Sequence, residues 1–460
     1  MFAMIYLAGA TGHADPVEPI LLALVFLTLG AMIGGRLMTL MKQPAVLGEL
    51  LVGMIAGNLG YYLGNAGLTV LREGDNLRKI SDLALTTTMT VTQAVYQVLP
   101  LADAGRVAAA LSGANSLDYL AIFSFVDFLA RIAILILLFL VGLETSLGEM
   151  RRVGKSALLV AVIGVIVPMA LGMGTMKLLH PESELARDLF IGGILTATSV
   201  GITARVLRDL GQETRDESRV ILGAAVIDDV LSLIVLAVVS GLAVTGTVRP
   251  ASIAMTTFVA ALFLAGSLGI GIWITPRIVR KLATAGIRNL KLLFGLGFAF
   301  LLSWLANVAG LATIVGAFAA GMILNDFFDK ELEGQSLHEL ISPVESLVVP
   351  LFFVWMGIQV KLESLSSRDV LIAGLLLTVV AILGKLVSGW GCPRTMNRWA
   401  VGFGMMPRGE VGLIFAGIGR GIGVVDDGLF SAVVILVMIT TLLAPVMLRV
   451  TLGSQPAASA

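Results

Sequence analysis

Long apolar runs separated by short polar clusters dominate this chain, and the runs have the length of membrane-crossing helices. A helix crossing the hydrocarbon core needs about 20 mostly apolar residues. Thirteen such spans are predicted, near 18–40, 44–66, 123–147, 155–179, 185–207, 217–243, 251–275, 290–306, 308–325, 343–361, 370–391, 398–420 and 428–449. Spans eight and nine are joined tightly around Asn307. Residues 71–121 fit no span: they open polar (R-E-G-D-N-L-R-K) and continue through Thr-rich and Ala-rich stretches. That pattern suits amphipathic helices on the membrane surface or a dimer contact, and it reads as an insertion without catalytic role. The short apolar run Phe2–Ala10 lacks a basic leader, so it reads as a tail before the first span rather than a cleaved signal peptide.

The Lys/Arg distribution sets the expected orientation, because cytoplasmic loops carry the excess. With the N-terminus outside, the inner loops hold Lys42, then Arg151, Arg152 and Lys155, then Arg205, Arg208, Arg215 and Arg219. Further along they hold Arg277, Arg280, Lys281, Arg288 and Lys291, then Arg394, Arg398 and Arg449. The short outer loops hold few, such as Arg187, Arg249 and Arg368. The N-terminus is therefore expected outside and the C-terminus in the cytoplasm, with the 71–121 insertion on the outer face of a bacterial-type inner membrane.

Composition supports an all-α polytopic membrane protein. Of 460 residues, 57% are hydrophobic and 13% charged, about half the charged share of a soluble protein. Such a surface has lipid as its solvent. The formal net charge is zero, so neither nucleic acid nor an acidic partner is indicated. One cysteine, Cys392, excludes an internal disulfide framework, and three histidines make a Cys/His metal site a poor expectation. No cofactor is expected.

An internal repeat recurs seven spans apart. Span two reads V-L-G-E-L-L-V-G-M-I-A-G-N and span nine T-I-V-G-A-F-A-A-G-M-I-L-N, so Gly48 and Gly53 have the spacing of Gly316 and Gly321. Span three (L-F-L-V-G-L-E) matches span ten (L-F-F-V-W-M-G). An odd offset inverts the second copy, as in many secondary transporters. Spans five and twelve should then correspond, and both carry helix-breaking chemistry: T-A-T-S-V-G-I-T at 196–203 and G-M-M-P-R-G-E-V-G at 404–412. Interruptions at matched positions of two halves point to a midplane site.

Charges inside the spans narrow the chemistry. Asp228 and Asp229 lie well within span six, where each costs about 2.5–3.5 kcal/mol on insertion scales. Successive helix residues point about 100° apart, so the two carboxylates face different neighbours. Lys385, in mid-span eleven, needs a buried anion. The economical arrangement binds one aspartate to Lys385 and turns the other towards a water-filled cavity. Arg408 and Glu410 in span twelve are two residues apart and do not face each other on a helix; they pair elsewhere or line the cavity. Glu144 near the end of span three fits a snorkelling charge as well as a functional one.

A hard monovalent cation is held by oxygen. Asp229, Thr198, Ser199 and unwound carbonyls could supply that set. If one carboxylate binds either a proton or the cation but never both, the two fluxes are coupled by competition. A site open to one side at a time is then a secondary active antiporter, and its activity is strongly pH dependent.

These residues resemble the cation:proton antiporter-2 family, and within it the NapA-like sodium/proton antiporters. The resemblance is carried by Q-P-A-V-L-G-E-L-L at 43–51, F-L-V-G-L-E-T at 139–145, T-A-T-S-V-G-I-T at 196–203 and V-I-D-D-V-L at 226–231. It continues through G-A-F-A-A-G at 316–321, Lys385 and P-R-G-E-V-G at 407–412, in order over nearly the whole chain. It implies thirteen helices with two crossed discontinuous ones, the NhaA/NapA-like fold. A core bundle is expected around 123–243 and 343–420, and panel helices for a homodimer around 18–66 and 251–325. It implies elevator-type movement, Asp229 as the ion- and proton-binding carboxylate, Asp228 as the partner of Lys385, and Thr196, Thr198, Arg408 and Glu410 in the broken helices. The double aspartate with lysine resembles the electrogenic branch, two protons against one sodium. The long 71–121 insertion and Asn58, where many members carry proline, depart from the pattern.

The nearest alternative keeps the mechanism and moves potassium, or lithium in place of sodium. Potassium-efflux relatives usually carry a C-terminal nucleotide-binding domain, and this chain stops soon after span thirteen. G-I-G-R-G-I-G at 417–423 mimics a phosphate loop, but without a preceding strand it reads as helix packing or a turn. Asp426 and Asp427 read as a solvated turn. An intramembrane aspartyl protease needs two carboxylates converging on one water, whereas these aspartates are adjacent and diverge. A cation channel needs no proton–cation competition, and a reversal potential in a bilayer separates the two.

Overall fold

The computed structural model describes residues 17–41, 43–144, 154–210, 212, 215–245, 250–283, 290–325 and 335–453. The run Phe2–Ala10 and the loop cations Lys42, Arg151, Arg152 and Arg288 lie outside the described residues. Within them the secondary structure is helical throughout. In chain order the helices are α1 Val17–Leu40, α2 Ala45–Tyr62, α3 Ala66–Arg72, α4 Asp75–Thr86, α5 Val91–Val98, α6 Leu101–Ser112 and α7 Ser116–Glu144. There follow α8 Lys155–Leu179, α9 Leu185–Ile194, α10 Val200–Asp209, α11 Asp216–Thr245, α12 Pro250–Ala283, α13 Leu290–Val308 and α14 Thr313–Asn325. The last are α15 Leu337–Ile358, α16 Arg368–Ser388, α17 Arg398–Gly404, α18 Glu410–Gly421 and α19 Asp427–Leu452.

Ten of these are long and apolar enough to cross a membrane. Adding the short α14 and the interrupted pairs α9/α10 and α17/α18 gives the thirteen passes read from the sequence. One junction differs. Helix α13 runs through Asn307 to Val308, and the turn to α14 sits at Gly310, which has φ +77°. Glycine has no Cβ to oppose that left-handed backbone.

The chain divides into two compact units. The first comprises 1–134 and 344–366, and the second 135–343 and 367–460. Each unit holds one copy of the same helix crossing, and the contacts match position by position. In the first unit Gly53 of α2 faces the Val354 carbonyl, and Gly357 of α15 faces the Leu50 carbonyl. In the second, Gly321 of α14 faces the Phe139 carbonyl, and Gly142 of α7 faces the Phe318 carbonyl. Each carbonyl lies three residues before the glycine on its own helix. Gly48 likewise abuts the Gly34 carbonyl of α1, as Gly316 abuts the Leu302 carbonyl of α13. Any side chain at these glycines would meet backbone, so the recurring glycines are close-approach points in lipid. The crossings realise the inverted-repeat expectation.

The 71–121 segment is four-fifths helix packed into the first unit, and its polar opening is not solvated. Arg72 and Glu73 are buried. Arg72 donates to Asn58 Oδ1 at 2.9 Å and pairs with Glu363. Lys361 Nζ lies 2.9 Å from Glu73 Oε2 and 3.0 Å from Asp103 Oδ2. The Tyr61 hydroxyl donates to Asp103 Oδ1 at 2.8 Å, and its ring lies between the guanidiniums of Arg72 and Arg106, each 4.3 Å from the centroid. Asn58 itself donates to the Val360 carbonyl at 2.8 Å and accepts from the Leu362 amide at 3.1 Å. A proline at position 58 could make none of these bonds. The insertion therefore fastens the ends of α2 and α15 within this unit.

Candidate functional site

Two helices in the second unit break in mid-course, and their breaks meet. After Ile194 the run Leu195–Ser199 leaves the helix, and it resumes at Val200. The Thr196 hydroxyl donates to the Gly193 carbonyl at 2.7 Å, a local bond that competes with helix continuation. In the partner, Pro407 lacks an amide donor and biases Met406 away from helix, so α17 stops at Gly404 and α18 starts at Glu410.

Unwound backbone in an apolar setting must find new partners, and each break supplies the other. The Ser199 amide donates to the Pro407 carbonyl at 2.9 Å. Thr203 Oγ1 donates to the Gly404 carbonyl at 2.8 Å, and Thr198 Oγ1 to the Met405 carbonyl at 3.2 Å. Arg408 reaches across to the Ala197 carbonyl. Its own carbonyl accepts from Thr441 Oγ1 of α19 at 2.5 Å. Gly409 passes so close to the Ser199 hydroxyl that a Cβ there would sit 2.7 Å from it. The C-terminal ends of α9 and α17 carry partial negative charge and the N-terminal ends of α10 and α18 partial positive charge. Arg408 sets a full cation on the carbonyl side of that arrangement.

Helix α11 brings the aspartates to the crossing. Asp228 is fully buried, and its Oδ1 accepts from Lys385 Nζ of α16 at 2.9 Å, with both side chains 0% exposed. Thr198 and Arg408 also lie close enough to act on Asp228, and Lys385 senses Asp229 and Arg408 besides its partner. Asp229, the next residue, keeps 6% exposure. Asp228 Oδ2 and the Nε and Nη2 atoms of Arg408 are buried without a hydrogen-bond partner among the described residues. Such groups are costly in a dry interior.

Asp228, Asp229, Thr198, Lys385 and Arg408 thus form one cluster, and Ser199 and Thr196 belong to the first break. The side chain of Glu410 lies outside the described residues. Glu144 is on the surface, 3.2 Å from His338, which fits the snorkelling charge. In the acidic pair at the start of α19, Asp426 is exposed, as a solvated turn requires, whereas Asp427 is half-buried. Asp426 caps α19 by accepting from the Leu429 amide at 2.9 Å and pairs with Arg187 at 2.6 Å, while Asp427 pairs with buried Arg420 at 2.7 Å. The glycines 417–423 end α18 in a turn, with Gly419 against Phe190 and Gly423 at φ +84°.

Two hydroxyls escaped the sequence reading, Thr441 and Ser232. Ser232 lies 3.3 Å from Thr196 Oγ1. Since Thr196 spends its proton on Gly193, Ser232 is the donor between them. A signal existed for it, because Ser232 is four residues beyond Asp228 and shares its helix face.

Comparison with known proteins gives the family of the chain. Residues 20–453 match the family model described as sodium/hydrogen exchanger, transmembrane. The chain is 35% identical over 438 residues to the high-affinity Na(+)/H(+) antiporter NhaS3 of Synechocystis, covering 94% of this chain and 89% of that one. It is 34% identical to the Na(+)/H(+)-K(+) antiporter GerN of Bacillus cereus, over 71% of this chain and 83% of that one. Among solved structures it is similar to the sodium proton antiporter MjNhaP1 of Methanocaldococcus jannaschii. The TM-score there is 0.61 at 15% identity, covering 95% of this chain and 97% of the other. At that identity the likeness concerns the fold.

Proposed function

Because this chain belongs to the sodium/hydrogen exchanger family, we propose that it exchanges sodium for protons across a membrane, with Asp229 as the carboxylate that takes either. The observation that carries this reading is the unequal setting of two adjacent acids: Asp228 is fully buried and bonded to Lys385, while Asp229, beside it on α11, is 6% exposed and is not the acid that Lys385 bonds. A protonated Asp229 loses the charge that holds a cation, so each ion displaces the other. The Thr198 and Ser199 hydroxyls and the carbonyls freed at the breaks complete an oxygen shell for a hard cation. Lys385 holds Asp228, and Arg408 ties one break to the other, rather than binding the ion. Exchange proceeds by alternating access and is electrogenic, two protons for one sodium, in a homodimer of the inner membrane with its N-terminus outside.

The test is sodium-driven proton movement in proteoliposomes. Asp229→Asn should lower it at least tenfold, and undiminished exchange would overturn the assignment. In the native protein, acidification should raise the apparent KM for sodium, with the maximal rate recovered at high sodium. A KM indifferent to pH would remove competition as the coupling device. The similarity to GerN, whose name includes potassium, favours potassium as a second reading. Repeating the assay with lithium and potassium ranks the cations.

A further inference from the structure

A cleft in the first unit, remote in sequence from the paired aspartates, has the form of an amphiphile site. It is a small, shallow cleft of about 50 Å³. Its walls are apolar: Leu22 and Ala23 from the first turns of α1, Leu68 and Leu71 from α3, and Ile122 from α7. Gly67 allows the walls to close, since a Cβ there would stand 3.3 Å from the Tyr119 ring. Because α1 and α7 are membrane-crossing helices and the cleft uses their opening turns, it lies at the depth where headgroups meet acyl chains.

The mouth is chemically one-sided. It carries Asn115, Asp118 and Tyr119 and no basic side chain. Asp118 is half-buried, and no hydrogen bond or ion pair engages its carboxylate among the described residues. The flank of α1 continues the apolar wall outward: Leu21, Val25, Leu29 and Met32 are all exposed. An apolar tail can therefore leave the cleft along α1 without re-entering water.

We propose that this cleft binds a phospholipid with an ammonium headgroup. Its acyl chain lies against Leu22, Leu68 and Leu71, and its amine faces Asp118 with Asn115 and Tyr119 as hydrogen-bonding neighbours. The acid at the mouth selects against anionic headgroups, whose charge it would repel. This inference is independent of the ion pathway.

The test uses the full chain in vesicles of either phosphatidylethanolamine or phosphatidylglycerol, each doped with a lipid of the same headgroup bearing a photoreactive acyl tail. Labelled peptides are read by mass spectrometry, and folding of each variant is checked by its melting temperature. The ethanolamine probe should label residues 19–23, 67–71 and 119–122 at least fivefold more than the glycerol probe. Asp118→Asn should bring the two probes within twofold of each other, and Ala23→Phe, which fills the wall, should cut labelling by both. Equal labelling of the native protein by the two headgroups overturns the proposal, as does labelling that Ala23→Phe leaves unchanged. If a photoreactive residue at position 22 instead links two protein chains and excludes both lipids, the cleft belongs to a second copy and the lipid reading fails.

Discussion

Removing Lys385 should destabilise the protein more than any surface substitution. Its Nζ lies 2.9 Å from Asp228 Oδ1, and neither side chain reaches solvent. The lysine lies over Gly164, whose Cβ would stand 3.3 Å from Nζ, so the truncated side chain leaves a hole at the acid rather than a path for water. In Lys385→Ala, Asp228 loses the partner of Oδ1 while Oδ2 already has none. Breaking one member of a buried ion pair costs about 3–5 kcal/mol. Arg408 is the nearest substitute cation, but its Nη1 holds the Ala197 carbonyl across the two breaks. Uptake of a proton by Asp228 limits the loss, which sets it nearer the lower figure. At about 1.6 °C per kcal/mol for a unit of roughly 300 residues, the apparent Tm should fall by about 5 °C. The assay is the melting of detergent-solubilised protein at one fixed heating rate, because an irreversible transition reports a rate. Removing both charges together, in Asp228→Asn with Lys385→Met, should recover most of the loss. An unchanged Tm for Lys385→Ala, or a double variant whose loss equals the sum of the single ones, would refute the buried pair.

Three further outcomes follow from other parts of the chain. Gly321→Leu drives a side chain into the Phe139 carbonyl; overpacking of this kind costs about 1–3 kcal/mol or more, so the folded yield after membrane extraction should fall sharply, and Gly53→Leu should do the same. Lys361→Met leaves Glu73 and Asp103 buried without their shared cation, a loss of about 3–5 kcal/mol that a melting curve detects and that Glu73→Gln with Asp103→Asn in the same chain should largely restore. Burial pushes the Cys392 thiol up from its ordinary value, despite the opposing influence of Arg398, so thiolate is scarce at neutral pH. Maleimide should label the folded protein slowly and the unfolded chain fast, and rapid labelling of folded protein would contradict the burial.

The sequence made the membrane architecture legible because lipid imposes a simple rule: a crossing helix must be long and apolar. It exposed the repeat because close helix approach demands glycine at fixed spacing, as at Gly48, Gly53, Gly316 and Gly321. It also singled out Asp228, Asp229 and Lys385, since charge inside an apolar run has a cost that invites a reason. It misread Asp427, because its partner Arg420 lies in another element. The polar opening of the 71–121 segment suited a membrane-surface helix for the same reason, as composition does not say which polar segments fold back onto a unit.

What the chain alone determined was the number of crossings, the inverted pairing of its halves and the identity of the buried charges. The tertiary structure decided which aspartate Lys385 takes, that each broken helix satisfies the other's backbone, and that the insertion buries a charge network. Those outcomes depend on distances of about 3 Å between groups far apart in the chain. Local sequence sets propensity and cost, but only packing selects the partner.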